Sequence, residues 1–151
     1  MMIRIILLAV LFLVSCEYVP SVEEAYSKKK EDFNKVVSLR DELLKRCPAC
    51  YSLHIENGKK TFWMFCDSIK PNQHGQAVVT YLLSENESEF LGSFMSYCGI
   101  WKVNMSPNVV RFMFSNAGDE VVRTDTSIAK YNAYQLDSLY YLLPSTVLKP
   151  D

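Results

Sequence analysis

YSLHIENGKKTFWMFC, running from Tyr51 to Cys66, is the stretch on which the fold class turns. Apolar and polar residues alternate along Tyr51–Glu56, and Thr61–Cys66 is rich in aromatic residues. Asn57-Gly58 lies between them, a strong signal for a two-residue turn. The spacing predicts a hairpin in which Leu53 faces Phe62 and Tyr51 faces Met64, so that the apolar side chains share one side. Adjacent strands joined this directly run antiparallel, whereas parallel strands need a long crossover.

The chain downstream extends this pattern. Lys70 to Gln76, with Pro71, Asn72 and Gly75, reads as a loop, and Ala77–Leu83 as a third strand. Asn86 to Tyr97 carries Phe90, Leu91, Phe94 and Met95 at helical spacing, with Asn86 as its expected cap and Gly99 as its stop. Ile100–Met105, Val109–Ser115 and Glu120–Thr126 read as three further strands, the last two joined by a turn at Asn116-Ala117-Gly118-Asp119. A third helix is expected over Asn132 to Leu143, cut off by Pro144.

Upstream, Val22 to Arg46 is the clearest helix. Phe33, Val36, Val37, Leu43, Leu44 and Cys47 form one apolar stripe, interrupted by Arg40. Ser21 is positioned to cap it, and Glu24–Lys28, Glu31–Lys35, Asp41–Lys45 and Glu42–Arg46 each set an acid four residues before a base. Lys28-Lys29-Lys30 reads as a solvated face balanced by neighbouring acids rather than a headgroup site. The expected architecture is α+β: a mainly antiparallel sheet of about six strands, one long N-terminal helix and two shorter ones.

The first residues read differently. Arg4 precedes an unbroken apolar run from Ile5 to Val14, closed by Ser15 and Cys16. This is the layout of a secretory signal, and the run is about half of the ~20 residues a membrane span needs. Leu13-Val14-Ser15-Cys16 resembles the lipobox of bacterial lipoproteins. The resemblance covers residues 1–16 only. It implies cleavage before Cys16, acylation of Cys16, and a cell-envelope address facing the periplasm or exterior. Glu17 leans toward the outer membrane. The expected organisation is a signal peptide over 1–15, a lipidated tether over 16–21 and one domain over 22–151.

Arg4 is the one charged residue in that leader, so the mature chain carries 15 basic against 17 acidic residues. A balance of that kind offers no field for nucleic acid or an anionic membrane surface. Its membrane contact would come from the lipid anchor alone.

Four cysteines follow: Cys47, Cys50, Cys66 and Cys98. In an exported chain an even count predicts two disulfides. One arrangement joins the Cys47/Cys50 pair to Cys66 and Cys98, one bond each, pinning both helices to the hairpin. The other pairs Cys47 with Cys50 and Cys66 with Cys98. Each bond is typically worth ~2–4 kcal/mol.

The same residues bear on other chemistry. Cys47-Pro48-Ala49-Cys50 has the form of a thiol–disulfide redox centre, but such centres sit at helix N-termini and this pair follows a helix. Zinc is a further option for Cys47, Cys50 and Cys66, with His54 or His74 contributing, but a ribbon site would need another cysteine beside Cys66. His54 is expected on the polar side of its strand, and His74 in a loop. Asp119-Glu120 and Asp125 read as solvated turn carboxylates. HExxH, GxSxG, Walker and Rossmann patterns are absent from the sequence. Trp63, Phe65, Trp101, Phe112 and Phe114 fit core packing better than an exposed docking patch.

The expectation is therefore a lipid-anchored, cofactor-free binding module for a protein or envelope partner. An immunity protein that blocks an incoming toxin would be one concrete form. An oxidoreductase using Cys47 and Cys50 is the competing class.

Overall fold

A computed structural model describes residues 18–57, 62–68, 77–115, 118–124 and 133–145. The leader, Cys16, Gly58, His74, Asp125 and the loop over 70–76 lie outside them. Helix α1 (Val22–Arg46) is followed by strands β1 (Cys50–Asn57), β2 (Phe62–Ser68) and β3 (Ala77–Val78). A 3-10 turn over Thr80–Leu82 leads into helix α2 (Glu85–Cys98). Strands β4 (Ile100–Ser106), β5 (Val109–Phe114), β6 (Glu120–Thr124), β7 (Tyr134–Asp137) and β8 (Tyr140–Leu143) complete the chain. The strands form one sheet in the order β3-β2-β1-β4-β5-β6-β8-β7, antiparallel throughout. The α+β class is thus observed.

The ends of α1 coincide with the expected ones. Ser21 Oγ accepts the Glu24 backbone N–H at 3.2 Å, and Pro48 follows the C-cap residue Cys47. Inside the helix, Lys29 leaves helical geometry at φ −120°, ψ 19°; nothing in the structure explains this kink. The three lysines each meet an acid: Lys28 pairs with Glu24, Lys29 with Asp32, and Lys30 with Asp137 of β7. Glu42–Arg46 forms as expected at 3.2 Å, whereas Lys35 turns to Asp32 and Asp41 turns to Arg40. Arg40 does not break the buried stripe by facing water. It is only 6% exposed, and its Nη1 is buried with no partner among the described residues.

Helix α2 starts one residue before the expected position, because Ser84 and not Asn86 caps it. Ser84 Oγ accepts the Glu87 N–H, and the Glu87 carboxylate accepts the Ser84 N–H at 2.7 Å. This reciprocal pair satisfies two helix-end donors at once. Gly99 closes the helix in the left-handed region at φ 69°, as glycine does at a helix C-terminus.

Three expectations are corrected. The hairpin register pairs Leu53 with Cys66 and Ile55 with Met64, and Asn57 with Phe62, so the connection is longer than two residues. The displacement is an even number of residues, so Leu53, Ile55, Met64 and Cys66 face inward together, whereas Tyr51, expected on the same side, is turned out to solvent at the bulge before Ser52. The expected helix over Asn132–Leu143 is instead, across its described residues, the hairpin β7–β8, turned at Ser138-Leu139. Asp137 Oδ1 accepts the Ser138 N–H at 2.6 Å, a local bond that favours turning over helix. Tyr140 and Leu142 then alternate inward. The third strand is also shorter than expected, with its distal half in the 3-10 turn.

Both helices pack on one face of the sheet. Phe33 of α1 is the hub, fully buried, with ring centroids 5.0 Å from Phe94 of α2 and 4.7 Å from Phe112 of β5. Tyr26 and Tyr140 extend the cluster at 5.3 and 6.3 Å from the same ring. Leu53, Ile55, Met64, Val103, Met105 and Val110 supply the sheet side of this core. The helices run antiparallel. The start of α2 meets the end of α1, where Arg46 binds both Glu87 carboxylate oxygens at 2.8 Å and the Leu82 carbonyl at 2.9 Å. The end of α2 meets the start of α1, where Lys29 lies 4.9 Å over the Tyr97 ring.

Candidate functional site

The chain between α1 and β1 reverses within three residues. Cys47 caps α1 and donates its N–H to Leu43 O at 3.1 Å, and Cys50 donates to Cys47 O at 2.9 Å. Cys50 then opens β1 opposite Ser68, and a bulge before Ser52 resets the strand. Cys66, in β2, lies opposite Leu53 of β1 on the inward face. Helix end, turn and hairpin therefore aim three sulfurs at one point.

All three sulfurs lie within 4.8 Å of one another. Cys50 Sγ is at bonding distance from both Cys47 and Cys66, with Cα–Cα separations of 5.5 and 5.4 Å. These separations lie within the ordinary disulfide range. A divalent sulfur holds one such bond at a time. Cys50 and Cys66 are buried and Cys47 is half-buried.

Cys98 does not join them. It ends α2, and because α2 runs antiparallel to α1 that end lies beside the start of α1, several turns from Cys47. Cys98 is fully buried and has no sulfur partner among the described residues. Burial pushes its thiol up to about 12, against a weaker lowering by Lys29. A bond from Cys98 to the Cys47/Cys50 pair or to Cys66 is therefore not what this geometry holds.

The placement also bears on redox chemistry. Cys47 stands at the negative end of α1, where the macrodipole opposes a thiolate. His54 is on the opposite sheet face, so it does not complete a metal set with the three sulfurs. Its Nδ1 sits 2.6 Å from Asn104 Oδ1 and its Nε2 3.3 Å from Ser52 Oγ. This Ser–His–Asn chain has the hydrogen-bond order of a nucleophile, base and orienter. It borders a shallow cavity with Tyr51, Val109 and Arg111. From Leu53 to Glu56 the β1 backbone is paired on both sides, to β2 and to β4. Of the turn carboxylates, Glu120 pairs with Arg111 at 3.3 Å and Asp119 accepts the Ser145 N–H at 2.8 Å, both structural roles.

The aromatic residues divide. Phe112 and Phe114 are core, while Trp101, at the β4 bulge, is 44% exposed. The side chains of Trp63 and Phe65 lie outside the description. Sequence reasoning missed the Ser52–His54–Asn104 chain. Ser52 and His54 share a strand face by simple alternation, but Asn104 joins them only through the β1–β4 pairing. The chain matches no protein-family model, no curated protein and no solved structure.

Proposed function

We propose that this is a membrane-anchored bacterial lipoprotein whose domain binds a protein or envelope partner without catalysing a reaction. The observation that carries the reading is the fit of the tether to the domain. Tyr18 donates its hydroxyl to the Glu24 carboxylate, Pro20 is buried, and Val19 lies against Gly99. Cys16 precedes Tyr18 by two residues, a reach of ~7 Å. Acyl chains at Cys16 would hold the Gly99 end of the sheet against the bilayer. At ~1.5 Å per residue, α1 carries the Cys47 end ~37 Å away from it. That distal end presents Tyr51, 60% exposed, and aromatic residues of this kind are enriched in interfaces. The disulfide there would rigidify the presented tip.

The test has two arms. Full-length protein in its producing cell should incorporate a fatty-acid label and partition with membranes, and Cys16→Ala should abolish both. Unlabelled, soluble wild-type protein would refute the anchor. Cross-linking of the anchored protein should then recover one defined envelope partner in stoichiometric yield; a blank would refute stable binding.

A further inference from the structure

We infer that Cys50 exchanges its disulfide partner between Cys47 and Cys66, leaving Cys47 as a modifiable thiol at the distal tip in one of the two forms. Valence sets the constraint. Of the five cysteines, three converge their sulfurs on one point, Cys98 is sealed elsewhere in the core, and Cys16 lies outside the described residues. An odd set cannot be fully paired, so any single bond among the three leaves one thiol beside it. Cys50 is the sulfur common to both available bonds.

The step is an internal thiol–disulfide exchange. The Cys66 thiolate attacks Cys50 Sγ in the Cys47–Cys50 bond. The Cys50–Cys66 bond forms, and Cys47 leaves as a thiolate that takes up the proton Cys66 released. No electrons enter or leave. The first bond requires an external disulfide, which is reduced to two thiols as two cysteine thiols are oxidised; in vitro, oxidised glutathione serves. Exchange of this kind depends on access and on which sulfur is attacked. Here the attacking group is already in place. The two forms differ in what they show to solvent. With Cys47–Cys50 formed, the remaining thiol is Cys66, 6% exposed. With Cys50–Cys66 formed, it is Cys47, half-buried at the end of α1. The second form therefore offers a site for thiol-reactive small molecules or a partner's cysteine, and the first conceals it.

The full chain is equilibrated in a buffer of reduced and oxidised glutathione, exposed to N-ethylmaleimide for increasing times, quenched in acid, digested and mapped by mass spectrometry. At short times both Cys47–Cys50 and Cys50–Cys66 linkages should be found, with Cys50 unalkylated. At long times the Cys47–Cys50 population should drain into molecules alkylated at Cys47 and linked Cys50–Cys66, because alkylation traps that form. A single linkage that stays constant throughout would overturn the inference. So would a Cys47–Cys66 bond, a bond to Cys98, or three free thiols in the oxidised buffer. The outcome does not depend on acylation at Cys16, so it stands or falls apart from the anchoring proposal.

Discussion

Gly99 offers a direct test of whether the tether packs on the domain. Replacing it with alanine has two separable effects. At φ 69° an L side chain sits in the left-handed region, which costs about 1–2 kcal/mol. The new Cβ would also lie 2.8 Å from Val19 Cγ1, well inside normal carbon contact, and overpacking of this kind typically costs about 1 kcal/mol or more. Gly99→Ala should therefore destabilise the domain by about 2–3 kcal/mol in urea titration, with an unchanged slope. Val19→Ala removes the clashing methyl. Val19 is 43% exposed, so alone this change should cost about 0.5 kcal/mol. In the double variant only the backbone cost of Gly99→Ala should remain, giving a favourable coupling of about 1 kcal/mol. If the two substitutions add to within about 0.3 kcal/mol, Val19 does not lie on Gly99, and the close approach of this end of the sheet to the membrane loses its support.

Two further outcomes follow from the core and from the helix junction. Phe33→Ala deletes the ring at the centre of the aromatic cluster and should cost about 4 kcal/mol in equilibrium unfolding; a loss below about 2 kcal/mol would mean the cluster is not the core's centre. Glu87→Gln should destabilise by about 1 kcal/mol at neutral pH, a figure reduced for the solvent contact that this pair keeps. The Arg46 guanidinium, above all, holds the Glu87 carboxyl down at about 2, against an ordinary 4.5. A depressed folded-state value means the stabilisation is fully present above pH 4.5 and disappears as pH falls toward 2. The variant and wild type should therefore converge in stability near pH 2, and a gap that persists there would assign the effect to packing instead.

How much of this was legible in the sequence depended on the range of the interaction. Helix α1 was readable because its stripe, its Ser21 cap and the proline after it all act within a few residues. Leu53, Ile55 and Met64 were readable as the inward set of the hairpin, although its pairing was displaced, because alternation survives an even shift; Tyr51 was not, because the bulge before Ser52 breaks the alternation. The β7–β8 hairpin was not. Tyr134 to Leu143 contains enough leucine and tyrosine to satisfy a helical period, and the opposing signal is a short one, Asp137 bonding the amide of Ser138. Pairing with β6, 17 residues or more away at Arg123–Tyr140, then decides the matter, and no local pattern carries that. The site divides in the same way. Cys47 and Cys50 are close by sequence and Cys66 by the hairpin, but the exclusion of Cys98 follows from the antiparallel docking of α2, which is a tertiary fact.

The two linkages open to Cys50 also differ in the unfolded chain, and this gives the fold a measurable role in the exchange. They close loops of sequence separation 3 and 16. With a closure cost growing as three halves of RT times the logarithm of loop length, the longer loop is disfavoured by about 1.5 kcal/mol, roughly tenfold. An unfolded chain with one bond should therefore carry mostly Cys47–Cys50. Folding already brings Cys50 and Cys66 together, through the pairing of β1 with β2, so the closure cost of the longer loop has been met by the hairpin. Any native fraction of Cys50–Cys66 above about one tenth is then the hairpin's doing. Mapping the same protein in denaturing urea at fixed glutathione ratio should show the balance move toward Cys47–Cys50. If Cys50–Cys66 instead remains dominant in the unfolded chain, something other than the strand pairing selects it.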